Sequence, residues 1–279
     1  MLYFHGDIHG NAIANFSYRR NPEMRELTEN DYLIVLGDCG IPWNYLTEKR
    51  DLHELHWLNE RPYKTIFITG NHDNYDLIEQ MPQINFCNGI ARRAVFKDKT
   101  FENIVYIDKP TVLDIQEQHI LIIPGADSHD IQNGIIDGYD KNWRKLAKAK
   151  QKNGEYYFRI KHLTWWPQEK LQIDEIEKIL KTDNSFDFIL SHECPSSQLR
   201  YFSRRFNPTD GEIYLEQVKE KVDYKIWLHG HMHQFANNYY DNIICLYNDL
   251  LSLAEVMQIR KTNKQELEAF EERMAAWQN

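Results

Sequence analysis

Cysteine is scarce: the 279 residues hold four (Cys39, Cys87, Cys194 and Cys245), widely spaced and without a C-x-x-C pair. That spacing argues against a zinc knuckle and against a disulfide framework, and a reducing cytoplasm is expected. No apolar stretch approaches the roughly 18 residues that a membrane span requires. The opening run MLYFHGD reads as a strand with no basic and apolar leader ahead of it, so no signal peptide is expected. Positive charge is in deficit, since 33 Lys and Arg against 42 Asp and Glu leave a formal net charge of −9. Such a surface repels long nucleic acids and anionic membranes unless basic residues gather locally. Glycine and proline are also few, and no Pro/Gly/Ser linker, internal repeat or low-complexity tract marks a boundary. A single domain over residues 1–279 is therefore expected.

What the chain does have is apolar residues, 42% of the total, enough for a substantial core. They recur as short runs that end in polar, glycine-containing turns: residues 2–4 before GDIHG, 32–36 before GDCG, 65–68 before TGNHD, 186–190 before SHEC and 225–228 before HGHMH. Each reads as a buried strand feeding a loop. Helical spacing links Leu52 with Leu55, Ile173 with Ile176 and Leu180, and Leu267 with Phe270, Met274 and Trp277. The last set predicts a C-terminal helix at about 263–277. This alternation indicates an α/β protein. Residues 104–123 form three strand-like runs in succession (IVYI, TVLDI, HILII), which suggests antiparallel pairing beside the parallel portion, in one mixed sheet or two. The stretch from about 128 to 166 stands apart. Between Asp137 and Lys161 it carries eight Lys or Arg against three Asp or Glu, and it reads as an insertion over one end of the sheet.

Each of the five strand-to-loop junctions carries Asp, Asn or His, and ligands of open α/β sheets bind at the carboxyl ends of strands. If the loops converge, they collect two carboxylates (Asp7, Asp38), an amide oxygen (Asn71) and four imidazoles (His9, His192, His231, His233). These are hard or borderline donors suited to divalent transition ions. Two ions about 3.5–4 Å apart need a shared ligand, and Asp38 is the candidate bridge. Such a pair supplies hydroxide at neutral pH and offsets phosphoryl charge, which points to phosphoester hydrolysis. His72, beside Asn71, is the candidate general acid for the leaving group.

The series GDIHG, GDCG, GNHD, SHEC and GHMH over residues 5–233 resembles, in order, the motifs of the calcineurin-like metallophosphoesterases. Any one of these motifs is weak, but the ordered set is specific. The resemblance implies a four-layer α/β/β/α sandwich of two mixed sheets flanked by helices. It implies that Asp7, His9 and His233 hold one metal, that Asp38 bridges, that Asn71, His192 and His231 hold the second, and that His72 is catalytic. Manganese is the first expectation for both ions, with iron, zinc, cobalt or nickel as alternatives. One departure stands out. Protein-phosphatase members continue GDxxDRG, whereas Ile41 and Pro42 occupy the positions of that Asp and Arg. The segments GADS (125–128), TWWP (164–167) and HECPSS (192–197) look instead like bacterial and phage-borne members.

Taken singly, an Asp after a strand is usually a turn residue and a lone His a hydrogen-bonded structural one. That reading is retained for His5, His53, His56, His119, His129, His162 and His229. Cys39 and Cys194 read as small buried hydrophobes, and Trp165 and Trp166 as packing under the insertion. For substrate contact the candidates are Arg200, Arg204 and Arg205, with Lys141, Arg144, Lys145 and Lys148 of the insertion behind them. The expected substrate is a small phosphorylated molecule or nucleotide, cleaved as a monoester or a diester. A nuclease acting on short nucleic acid is the alternative enzyme, and a non-catalytic metal-binding regulatory module the alternative of another class.

Overall fold

The computed structural model describes residues 1–202 and 207–278, the last six of these as backbone only. Two mixed sheets dominate. The first contains β1 (Leu2–His5), β2 (Tyr32–Val35), β3 (Lys64–Ile68), β4 (Gln83–Phe86), β5 (Gly89–Phe96), β6 (Lys99–Ile107) and β15 (Leu250–Ser252), in the order β15-β1-β2-β3-β6-β5-β4. Strands β1, β2, β3 and β6 run parallel, with antiparallel β15 and β5 on either side. The second contains β7 (Thr111–Ile115), β8 (Gln118–Ile123), β11 (Ser185–Ser191), β12 (Asp223–His229), β13 (Ala236–Asn238) and β14 (Ile243–Cys245), in the order β13-β14-β12-β11-β8-β7. Its four central strands are parallel and both edges antiparallel. Strands β9 (Ile135–Asp137) and β10 (Arg159–Lys161) pair separately inside the insertion.

Side-chain alternation along these strands builds the layers. Phe4, Ile34, Ile66, Val105 and Ile107 of the first sheet meet Ile120, Ile122, Phe188, Leu190, Ile226 and Leu228 of the second in one buried cluster. Their neighbours Tyr3, Leu33, Val35, Phe67 and Tyr106 turn outward, onto α1 (Ala12–Phe16) and α2 (Glu48–Asn59) through Phe16, Leu55 and Leu58. On the far side Leu121, Ile189 and Trp227 pack with Ile176 of α5 (Ile173–Leu180) and with Leu215 and Val218 of α6 (Asp210–Lys221). These clusters stack as helix, sheet, sheet, helix, and each fully buried Ile, Leu or Phe contributes about 1.5–3 kcal/mol. Both faces of each central strand are covered, which is why the strand runs are continuously apolar rather than alternating.

Two expectations are corrected. The antiparallel pairing expected among the three runs of residues 104–123 holds for two of them, β7 and β8, a hairpin in the second sheet closed by Gln116 and Glu117 at positive φ, whereas β6 lies in the first sheet, parallel to β3 and antiparallel to β5. The run IVYI is apolar on both faces, which suits a strand covered on both sides, and residues 108–110 carry the chain from one sheet to the other. The C-terminal helix α7 spans Leu253–Gln278, starting well before residue 263, because its first turns bury Val256 and pack Leu253, Met257 and Ile259 against the inter-sheet core. Met274 and Trp277 lie outside the described side chains. No helix among the described residues is long and apolar enough to cross a membrane.

Candidate active site

The five loops meet at the carboxyl ends of β1, β2, β3, β11 and β12. Backbone hydrogen bonds lock the first two together, His9 N donating to Asp38 O at 2.9 Å and Gly10 N to Cys39 O at 2.7 Å. The third is tied to the second twice. His72 N donates to Asp38 Oδ1 at 2.7 Å, and the buried Asp73 carboxylate accepts from Gly40 N, Gly70 N and the Cys39 thiol at 2.8, 2.8 and 2.9 Å. Across the sheet boundary, His231 N donates to Asp7 Oδ1 at 3.0 Å and His192 Nδ1 donates to Leu36 O at 2.7 Å, which turns His192 Nε2 inward. His9, Asp38, His231 and His233 all adopt positive φ, an uncommon conformation for residues other than glycine that concentrates at functional sites. The glycines of the motifs serve this packing. Gly37 has φ +100°, and a Cβ there would run into the His192 ring, while a Cβ on Gly70 would meet Asp38 Oδ1.

The convergence brings the predicted donors together in two groups, Asp7, His9, Asp38 and His233 in one and Asp38, His192 and His231 in the other, with ligand atoms in each group within 4.8 Å of one another. Asp38 belongs to both. His9 Nε2 lies 3.0 Å from His233 Nε2, His233 Nε2 3.0 Å from Asp7 Oδ2, His192 Nε2 3.2 Å from Asp38 Oδ1 and 3.3 Å from Asn71 Oδ1. Buried donor atoms without a hydrogen bond include Asp7 Oδ2, Asp38 Oδ2 and His231 Nε2, and such atoms ordinarily find partners. Orphaned oxygens and nitrogens crowded at this spacing fit cations.

The electrostatics agree. Burial alone would raise the Asp38 carboxyl, yet the imidazoles of His192, His72 and His9 hold it well below the usual carboxylate range. Reciprocally, burial opposes protonation of His192, but Asp38 and then Asp7 push it up to about 10. His72 moves the other way. Burial lowers it to about 4, Asp38 opposing and Arg159 adding to the effect, so its imidazole rests neutral at neutral pH. Cys39 is fully buried, and burial followed by the Asp73 charge pushes its thiol up, the profile of an inert cysteine.

A cleft of about 290 Å³ opens over this cluster, lined by Asp38, Asn71, His72, His231 and His233 and by three residues of the insertion, His129, Asp130 and Arg159. These three were not expected. His129, read as structural, stacks on His231 with ring centroids 5.2 Å apart and has Nε2 3.7 Å from Glu212. The fully buried Glu193, beside His192, reaches within 3.8 Å of His231 Nε2. Burial and the neighbouring Glu212 push its carboxyl up. The letters HEC and the eight basic residues of the insertion were visible in the sequence, but nothing in the spacing singled out Glu193 or Arg159.

Other expectations land elsewhere. Arg200 is exposed and folds onto its neighbour, with its guanidinium 5.1 Å from the Tyr201 ring centroid. Arg204 and Arg205 lie outside the described residues. In the insertion, α4 (Trp143–Lys152) buries none of its residues, and its Arg144 stacks on Trp143. Trp166 is fully buried, donates from Nε1 to Asp76 at 3.0 Å and packs edge-on against Trp43. Trp165 donates to Glu169. Both tryptophans are packing residues.

No curated protein matches the sequence. Among solved structures the chain is similar to phosphopantetheinyl hydrolase (PptH) from Mycobacterium tuberculosis, at 14% identity over 88% of this chain and 87% of that one, with a TM-score of 0.41. The sequence model of the calcineurin-like phosphoesterases matches residues 2–235, a span that contains all five loops of the cleft, and the chain belongs to that family of metal-dependent phosphoester hydrolases.

Proposed function

We propose that the chain hydrolyses a phosphate ester of a small phosphorylated molecule or nucleotide, using two divalent ions. The membership of Asp38 in both donor groups is the observation that carries this reading, because one carboxylate with two oxygens can serve two ions at once. Asp7, His9 and His233 would hold the first and Asn71, His192 and His231 the second, with manganese the first choice and iron, zinc, cobalt or nickel also compatible with these donors. When bound, the ions supply a nucleophilic hydroxide at neutral pH and neutralise the charge that gathers on the phosphoryl group.

The chain's own residues do the rest. Asp38 anchors the backbone of His72 and so fixes the imidazole at the cleft, where it donates a proton to the leaving oxygen. His72 rests neutral; the arriving phosphate raises its proton affinity by bringing negative charge to the site, so that His72 takes up a proton from solvent as the substrate binds and passes it to the leaving oxygen. A cleft of about 290 Å³ lies at the small end of ligand pockets, which favours a small substrate over nucleic acid. Four free thiols, three of them buried, fit a reducing cytoplasm.

The test combines elemental analysis of purified protein with hydrolysis of p-nitrophenyl phosphate, bis-p-nitrophenyl phosphate and a panel of nucleotides and phosphorylated metabolites. Two equivalents of metal and turnover of at least one ester are expected. If metal-loaded protein cleaved none of them, the reading would be abandoned.

A further inference from the structure

The loop after the second motif, with Ile41 and Pro42, brings no charge to the site, yet a guanidinium reaches the cleft from elsewhere in the chain. Arg159, the first residue of β10, enters from the insertion and is nearly buried, with 11% of its side chain exposed. Its Nε and Nη2 edge is engaged by Asp130, at distances of 2.7 to 2.9 Å. Nη1 donates to Thr164 O at 3.2 Å. The remaining end of the fork faces His72, with Nη1 3.3 Å from Nδ1 and Nη2 2.8 Å from Nε2. An imidazole ring offers at most one lone pair, so it can accept at most one of these two N–H groups. A donor is therefore left over in the cleft whose lining Arg159 shares with His72, Asp38 and Asn71.

We propose that Arg159 is the substrate-phosphate clamp of this enzyme and that it makes the enzyme prefer phosphomonoesters. The proposal rests on the hydrolytic reading above. A guanidinium fork matches the spacing of two phosphate oxygens and binds them with charge-assisted hydrogen bonds. Asp130 occupies the side edge and holds the fork in place, so that only the end facing His72 is available to a substrate oxygen. A terminal phosphate has three non-bridging oxygens and a diester two. The ligand cluster and Arg159 line the same cleft, so once the cluster has engaged two phosphate oxygens only the monoester has a third to offer the arginine.

The experiment measures kcat and KM for p-nitrophenyl phosphate and bis-p-nitrophenyl phosphate, and binding of inorganic phosphate by calorimetry, in metal-loaded wild type, Arg159→Gln and Arg159→Lys. Arg159→Gln should weaken phosphate binding and raise KM for the monoester by about 10- to 100-fold. The diester should change by less than about 3-fold, since that contact is not made, and Arg159→Lys should recover part of the loss. Unchanged phosphate affinity in folded Arg159→Gln, or equal losses on both esters, would overturn the proposal. Should Arg159→Gln fail to fold, Asp130→Ala keeps the guanidinium but frees it, and a smaller loss in the same direction is expected; none would count against the clamp. Calorimetry needs no turnover. A wild type that cleaves neither ester nor any member of the panel thus sinks the hydrolytic reading, while phosphate binding still decides the role of Arg159.

Discussion

The five motif loops and the insertion at 128–166 both face the cleft, but they are built differently. The loops are short, their donor side chains are mostly buried, and backbone hydrogen bonds tie them together. Four of their non-glycine residues are held at positive φ, a strain that the two sheets beneath can hold in place. The insertion pairs two three-residue strands, and its helix α4 buries no residue. It touches the cleft through His129, Asp130 and Arg159. The difference is one of division of labour. Charge-handling groups sit where packing permits little movement, whereas the group proposed to sense the substrate hangs from a polar appendage that sequence change can remodel without touching the core.

The comparison is broken most directly at Asp38. Asp38→Asn should lose at least one equivalent of metal by elemental analysis and about 10³-fold or more in kcat/KM, the equivalent of several kcal/mol of transition-state stabilisation. Near wild-type activity would refute the shared-ligand mechanism. Next in size is His72→Asn. A general acid matters in proportion to the need of the leaving group, so a loss of about 10²-fold is expected on alkyl phosphates and little on p-nitrophenyl phosphate, whose phenolate leaves unaided. Equal losses on both would assign His72 to positioning instead.

A third prediction concerns the joint between the two regions. The buried Glu169 accepts from Ser128 N and Trp165 Nε1 at 3.0 and 2.8 Å, and Ser128 Oγ accepts in turn from Asn71 at 3.2 Å. Burial raises Glu169 from 4.5 to about 8, its hydrogen bonds opposing only in part. Between those values the folded chain holds a proton that the unfolded chain has released. The stability associated with Glu169 is therefore complete below pH 4.5 and falls as pH rises through about 8, by no more than about 1.4 kcal/mol per pH unit. Glu169→Gln should flatten that fall in thermal melts across the same window, and an unchanged slope would show that the carboxyl is not protonated in the fold. The smallest effect is expected at α4. Charge reversal of Lys145 and Lys148 should alter kcat/KM on a small phosphoester by less than about 2-fold at physiological salt, because both are exposed, neither lines the cleft, and salt screens exposed charges. A larger change would extend the substrate surface beyond Arg159.

Legibility followed the same division. The eight residues Asp7, His9, Asp38, Asn71, His72, His192, His231 and His233 stand in short patterns, each following an apolar run; the structure gathers them into one cluster, five of them lining the cleft. Arg159 was one of eight basic residues in a polar stretch. What distinguishes it is its approach to His72, a residue 87 positions away, and no local pattern records a contact at that range. His129 and Glu193 were hidden for a similar reason: each acts on His231 from another element. Arg200 shows the converse, since closeness in sequence to His192 did not bring it into the cleft.

By itself the sequence determined the alternation of buried strands with polar loops, the donor types and their order, because hydrophobic periodicity and residue chemistry are local properties. Tertiary structure alone decided which sheet each strand joined, as β6 illustrates, and which basic residue of the insertion reached the cleft. Both depend on pairings between distant segments, chosen by the burial of both faces of a strand and by the one path on which Asp130 and Thr164 can hold Arg159 against His72.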